Sequence, residues 1–238
     1  MPKHTTARTR SVRYSAPRVV LPGPAEIVCE LPQQSNETEA LVNPLEELHQ
    51  TIDGCRKCES SIPNLCKPIR MLRGTPGSVM IVGQGPGKKE RSVGFAFAGQ
   101  SGKRLDGWLR KCRKRGGARD GIYLTSVVKC VKQSEQELKI MVGNCRPFLA
   151  QQISLIRPKL IITLGQLAFE ALNFTQISFT DALCITLETR QHMLLPPFGH
   201  HWTLMPWPHP SGRNRWLNKP ENRQKLERSF QTVATFLT

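Results

Sequence analysis

The sequence predicts an α/β fold: a three-layer αβα arrangement around a central, mainly parallel four-stranded sheet. Two observations carry this. Four short apolar runs lack the polar alternation of a half-exposed strand, so each reads as a strand buried on both faces. Segments with helical spacing separate them, and parallel neighbours need such crossovers.

Taken in order, Pro44 to Ile52 carries Leu45, Leu48 and Ile52 at helical spacing. Cys55-x2-Cys58 follows, with Cys66 eight residues on. The first strand covers residues 78–84 and runs into Gly83-Gln84-Gly85-Pro86-Gly87, a corner at its carboxyl end, where open α/β sheets place ligands. The corner is neither a Walker A loop, since no Ser or Thr follows Lys88 or Lys89, nor a dinucleotide fingerprint, since Lys88 stands where the third glycine belongs. After Gly94-Phe95-Ala96-Phe97-Ala98-Gly99, Ser101 is the expected N-cap of a helix with Leu105, Trp108, Leu109 and Cys112 on one face. Lys103, Arg104, Arg110, Lys111, Arg113, Lys114 and Arg115 crowd its other side against a lone Asp106, which points to phosphate contact. Gly121 to Lys129 is the second strand, ending at Cys130, and a helix over about 136–155 carries Cys145. Lys159 to Gly165 is the third strand, followed by a short helix. Trp202 to Trp207 is the fourth, leading into Pro208-His209-Pro210-Ser211-Gly212-Arg213-Asn214-Arg215. A last helix over about 221–237 aligns Leu226, Phe230, Val233 and Leu237.

The 238 residues carry 34 Lys and Arg against 18 Asp and Glu, a net charge of +16. A charge that large concentrates polyanions by counterion release, so DNA is the expected partner. No apolar run approaches the ~20 residues that span a membrane, and the first 20 residues hold no signal-peptide core. The expectation is a monomeric cytoplasmic, nucleoid-associated protein. Organellar import is the alternative, because the start is Arg-rich and acid-free before Glu26, although no amphipathic face accompanies it. Residues 1–42 lack periodicity and are expected to form a basic tail, with the folded domain over 43–238.

Eight cysteines in a reducing compartment suggest ligation rather than disulfides. Cys55, Cys58, Cys130 and Cys145 can make one four-thiolate set, which suits zinc or an iron–sulfur cluster equally on ligand chemistry. Cys29, Cys66, Cys112 and Cys184 stand outside that set, Cys112 as a core residue and Cys66 as a possible substitute ligand.

Gly83-Gln84-Gly85-Pro86-Gly87, Phe97-x-Gly99-x-x-Gly102, Ser126-Val127-Val128-Lys129-Cys130, Cys145-Arg146-Pro147 and His209-Pro210-Ser211 resemble, in order, the motifs of the iron–sulfur, family 4 uracil-DNA glycosylases. The resemblance spans about residues 50–237. It implies a uracil-DNA glycosylase domain whose four cysteines hold a structural [4Fe-4S] cluster, with zinc as the alternative. It also implies a monofunctional glycosylase that removes uracil, or a related deaminated base, from single- or double-stranded DNA in base-excision repair.

Cutting a base from deoxyribose develops a sugar cation and a base anion, and the base must first leave the stack. Phe97 fits the stacking surface for the extruded base. His209 matches the family's donor to the departing oxygen, and Gly83, Gly85, Pro86, Gly87 and Ser211 frame the pocket. Gln84 stands where a water must be held near the sugar. Here the family usually has Glu, and it has Asn where Ser126 stands; Ser makes only part of the amide's bonding pattern to a uracil edge. The His-Pro-Ser-x-Arg-Asn run also resembles a loop of the single-strand-selective monofunctional uracil glycosylases, which implies that Arg213, Asn214 and Arg215 meet DNA, alongside Lys103 and Arg104. The two substitutions keep a second reading open: a weak or inactive relative that binds damaged or single-stranded DNA.

Overall fold

A computed structural model describes residues 43–65, 67–69, 79–172, 176–188 and 200–237. The expected tail over 1–42, Cys29 and Cys66 lie outside the described residues. The four expected strands are β1 (Val79–Gly83), β2 (Ile122–Ser126), β3 (Leu160–Leu164) and β5 (Thr203–Trp207). All pair in parallel, in the order 2-1-3-5. A fifth strand, β4 (Leu187–Glu188), adds an antiparallel edge to β5. The sheet is therefore five-stranded rather than four-stranded; two residues are too short to leave a period in the sequence.

Every residue of the four parallel strands is buried, and alternate side chains enter opposite layers. Val79, Ile81, Leu124 and Ile162 pack with Leu105 and Leu109 of α3 (Gln100–Lys111) and with Leu226 and Phe230 of α7 (Pro220–Ala234). Met80, Val82, Tyr123 and Ile161 pack with Met141, Leu149 and Ile153 of α4 (Glu135–Ile156) and with Phe169 of α5 (Gln166–Leu172). On that second side α1 (Pro44–Asp53) sets Leu48 and Ile52 against Phe148 of α4. The three-layer αβα arrangement follows.

Three local features differ from expectation. The helix α3 is capped by Gly99, not Ser101, and ends at Lys111, so Arg113 to Arg115 lie beyond it. β2 stops at Ser126, and contact with β1 continues through the amides of Val127 and Val128, which donate to the carbonyls of Gly83 and Gln84 at 2.9 and 3.1 Å. A short helix α2 (Lys88–Val93) follows the glycine corner and buries no residue, so no apolar face announced it. Further along stand the brief α6 (Phe179–Ala182) and a 3₁₀ turn, Arg215–Asn218.

The amphipathic assignment of α3 is testable by chemical denaturation. Leu105→Ala removes a side chain with no exposed surface and is expected to cost about 2–5 kcal/mol. The exposed Lys103→Ala should stay within about 0.5 kcal/mol of the parent. Equal losses would overturn the facing of the helix.

Candidate active site

The carboxyl ends of β1, β3 and β5 form one edge of the sheet. The glycine corner leaves β1, Gly165 leaves β3, and Pro208–Ser211 leaves β5. With parallel strands about 4.8 Å apart, the corner and the His209 loop stand roughly 10 Å from each other, the width of a single base and its contacts. Sequence-distant segments are thus brought to one edge.

At the corner, the backbone is bare where other groups come close. A Cβ on Gly83 would lie 2.8 Å from Cζ of Phe97, so the Phe97 ring rests directly on the end of β1. A Cβ on Gly102 would lie 1.8 Å from the Phe97 carbonyl oxygen, and one on Gly85 would lie 2.4 Å from Cγ2 of Val128. Phe97 itself has φ 55°, a left-handed conformation that a phenylalanine holds only when its surroundings impose it. Those surroundings are visible. Nη2 of Arg119 donates to the Phe97 carbonyl at 2.9 Å, and the same guanidinium grips Asp106 with Nε at 2.6 Å and Nη2 at 3.1 Å. Glu90 accepts from the amide of Gly87 at 3.0 Å with one carboxylate oxygen and from the amide of Gly99 at 2.9 Å with the other. One side chain therefore ties the corner to the segment carrying the ring. That bond also commits the Gly87 amide, leaving it no proton for a ligand. Gln84 is half-buried at the corner.

The histidine loop is equally fixed. Its backbone packs against the end of β3: Gly165, with φ 88°, would bring a Cβ to 3.1 Å from Cβ of His209. The Ser211 amide donates to Nδ1 of His209 at 3.1 Å. A backbone amide is always a donor, so Nδ1 is unprotonated and the neutral ring carries its proton on Nε2. Burial, followed by the charge of Arg213, pushes the imidazole below its ordinary value of 6.5 and keeps it neutral. Asn214 donates to the His209 carbonyl at 3.0 Å and accepts from the Trp216 amide at 3.0 Å, while Nη1 of Arg104 donates to the Ser211 carbonyl at 3.1 Å. Asn214 and Arg104, expected at the DNA, are thus also struts of this loop. Lys103, Arg213 and Arg215 are exposed. Elsewhere on the basic face, Lys111 pairs with Glu227 at 3.0 Å and Arg113 donates to the Asp120 carbonyl.

Ser126, at the position where the family has Asn, has its hydroxyl turned to its own chain. It is buried, and its hydroxyl donates to the Val128 carbonyl at 2.6 Å. Its only proton is spent there, so toward a base it can accept but not donate.

Cys55, Cys58, Cys130 and Cys145 line one cavity of about 100 Å³. Asn144 Nδ2 donates to Sγ of Cys58 at 3.3 Å. Burial raises the Cys145 thiol, opposed by a hydrogen bond from the Lys129 backbone and by that residue's charge. Lys129 is 1% exposed; its Nζ donates to Thr125 Oγ1 at 3.0 Å, to Gln152 Oε1 at 2.9 Å and to the Ser126 carbonyl. Burial lowers its amine to about 8, against the pull of Cys145. Gln152 continues the buried network, donating to the Tyr123 hydroxyl at 2.8 Å, 2.7 Å from Nε2 of His49. No three His, Cys, Asp or Glu side chains are grouped to hold a single metal ion among the described residues. Cys112, as expected, is core: burial drives its thiol to about 12.

Sequence reasoning missed Glu90, the Asp106–Arg119 pair and Lys129. The first lies inside a charged run, and the others become partners only through folding. The lysine's one signal was its place between the second strand and a ligand candidate.

Residues 75–233 match the Uracil DNA glycosylase superfamily, well over half of the chain. Similar curated proteins include the type-4 uracil-DNA glycosylase of Sulfurisphaera tokodaii, 25% identical over 202 residues, or 79% of this chain and 83% of the relative. That of Saccharolobus solfataricus is 27% identical over 208 residues, covering 82% and 88%. That of Pyrobaculum aerophilum is 34% identical over 137 residues, covering 54% and 64%. The matched span holds the whole sheet, the glycine corner, Phe97 and the histidine loop, and on these grounds the chain belongs to the uracil DNA glycosylase superfamily.

Proposed function

We propose that this protein is a monofunctional DNA glycosylase that removes uracil, or a closely related deaminated base, from DNA. The observation that carries the reading is His209: a neutral imidazole with Nδ1 occupied and Nε2–H left as a donor, on the same sheet edge as a ring braced against Gly83. The names of the relatives point the same way.

In the reaction, the bond between deoxyribose C1′ and uracil N1 breaks and its electron pair leaves with the base. The negative charge that develops on the uracil oxygen meets Nε2–H of His209, a preorganised donor of the kind worth about 3–4 kcal/mol to a transition state. Phe97 stacks on the extruded base. A water adds to C1′ and gives up a proton, which the departing uracil anion takes up, leaving an abasic site and free uracil. Gln84 orients that water through its amide but cannot take the proton as a glutamate would. Ser126 accepts from a base N–H. Both departures predict a slower enzyme than one with Glu and Asn at these positions.

The cysteine set fits a cluster. Four thiols face one cavity, a backbone amide and the Asn144 amide point at sulfur, and Lys129 supplies positive charge beside them. Four thiolates also suit a single zinc ion, the alternative that the colour of the purified protein separates from a cluster. Cys55, Cys58, Cys130 and Cys145 would hold a [4Fe-4S] cluster, which when bound supplies structural cross-linking rather than chemistry on the base.

Incubation with uracil-containing single- and double-stranded oligonucleotides, then alkaline cleavage, tests the activity. Strand scission is expected, falling at least about 100-fold in His209→Ala. Binding without scission on uracil, hypoxanthine and xanthine would favour a DNA-binding relative instead. The pH profile follows from the lowered value of His209. The neutral ring persists down through pH 6.5, and excision should hold level there. It should fall only at lower pH, where protonation of Nδ1 expels the Ser211 amide. The same sign applies to stability: the contribution of the neutral ring is present above 6.5 and lost as pH drops through the folded-state value. Excision that rises with acid in this range would contradict the donor assignment. For the cluster, anaerobically purified protein should be brown with broad visible absorbance, and Cys145→Ser should lose the colour. A colourless, zinc-loaded protein would replace the cluster with a metal ion.

A further inference from the structure

Between the glycine corner and the Phe97 segment the chain makes an excursion whose two ends hang from one carboxylate, Glu90, through the amides of Gly87 and Gly99. At its tip, Arg91, Ser92, Val93, Gly94 and Phe95 are all exposed. Gly94 turns the chain with φ 79°, and the next side chain, Phe95, is left 49% exposed, with Val93 at 39%. Ala96 is buried again, and Phe97 folds back onto Gly83. An aromatic ring thus stands in water two residues from the ring assigned to the target base. Around it, α2 buries nothing and presents Lys88, Lys89 and Arg91, while its single acid, Glu90, is consumed by backbone amides.

A flat apolar face set among cations matches an unstacked nucleobase and its phosphates, because every base offers a π-face and every linkage a negative charge. Two side chains are too small an apolar patch for a protein interface of ordinary size. When one base is drawn from the stack, its neighbour loses a partner, and an inserted apolar side chain replaces that contact. We propose that Phe95, backed by Val93, stacks on a nucleobase adjacent to the excised one in the same strand. The proposal rests on the reading of this edge as a DNA-glycosylase site.

The test uses the full chain with Phe95→Ala and Phe95→Trp, and single-stranded uracil oligonucleotides with 2-aminopurine directly 5′ or 3′ of the uracil. Stacking quenches that fluorescent base. Wild type and Phe95→Trp are expected to quench it at one of the two positions. Phe95→Ala should leave it bright and bind roughly 5- to 100-fold more weakly, the range for losing one base–aromatic stack. Its salt slope should be unchanged, since no cation is removed. Equal quenching by all three proteins, with affinities within about twofold, overturns the contact. The two readings fail separately. Loss of quenching in Phe95→Ala without any excision by wild type would sink the glycosylase and keep the stack. Normal excision with a silent probe would do the reverse.

Discussion

The arrangement of the sheet edge depends on a phenylalanine lying against bare backbone. Phe97 reaches its place because Gly83 and Gly102 have no Cβ; with one, the contacts would be 2.8 Å to its ring and 1.8 Å to its carbonyl oxygen. A left-handed φ on such a residue costs of the order of 1–3 kcal/mol. Local hydrogen bonds offset that cost. Arg119 is aligned on the Phe97 carbonyl by a bidentate hold on Asp106, and Glu90 ties the returning chain to the corner. Strain retained under this much constraint belongs to a surface that must not move when a ligand arrives. A stacking ring already in place spares the entropy of ordering it at the moment of binding.

The opposite layer reaches the same corner through backbone. Lys129 is buried, and its ammonium finds an acceptor for each of its three protons, two of them, Thr125 Oγ1 and the Ser126 carbonyl, at the end of β2. An unmatched buried ammonium would be far more costly than this satisfied one. The adjoining residues, Val127 and Val128, donate to the carbonyls of Gly83 and Gln84. From the cysteine cavity to the glycine corner there is therefore a continuous run of hydrogen-bonded chain through Cys130, Lys129 and the end of β2. A rigid group held by the four thiols would stiffen that run, which gives a structural cofactor a physical route to the substrate pocket without touching it.

Sequence periodicity carried the layers and the four parallel strands because strands buried on both faces are continuously apolar and helices with one buried face repeat at 3.6 residues. The convergence of the glycine corner with His209 was legible for the same reason: both follow strands, and parallel strands end on one side. What stayed hidden has no period. Leu187–Glu188 is too short, and Lys88–Val93 has no buried face. Glu90 reads as one more charge in Lys88-Lys89-Glu90-Arg91 until the fold places two amides on its carboxylate. The Ser126 hydroxyl turns to its own chain, a local bond that composition cannot reveal. The seven cations around α3 read as a uniform phosphate face, yet Arg104, Lys111 and Arg113 are partly spent on protein acceptors.

In the proposed reaction the departure at Gln84 bears on the sugar side and that at Ser126 on the base edge, and the electrostatics around His209 favour the departing base. Burial first, and then the charge of Arg213, lower the imidazole, and a charge that disfavours a proton there favours an anion at the same point. The leaving base gathers negative charge as the sugar gathers positive charge, so stabilising either end lowers the same barrier. In this reading a histidine held neutral at ordinary pH, with the charge of Arg213 reaching it, directs the stabilisation to the uracil oxygen. The sugar cation is then left to the DNA's own phosphates. On this proposal a glutamine in place of a glutamate is expected to slow the site without abolishing it, because the carboxylate would serve the end of the bond opposite His209.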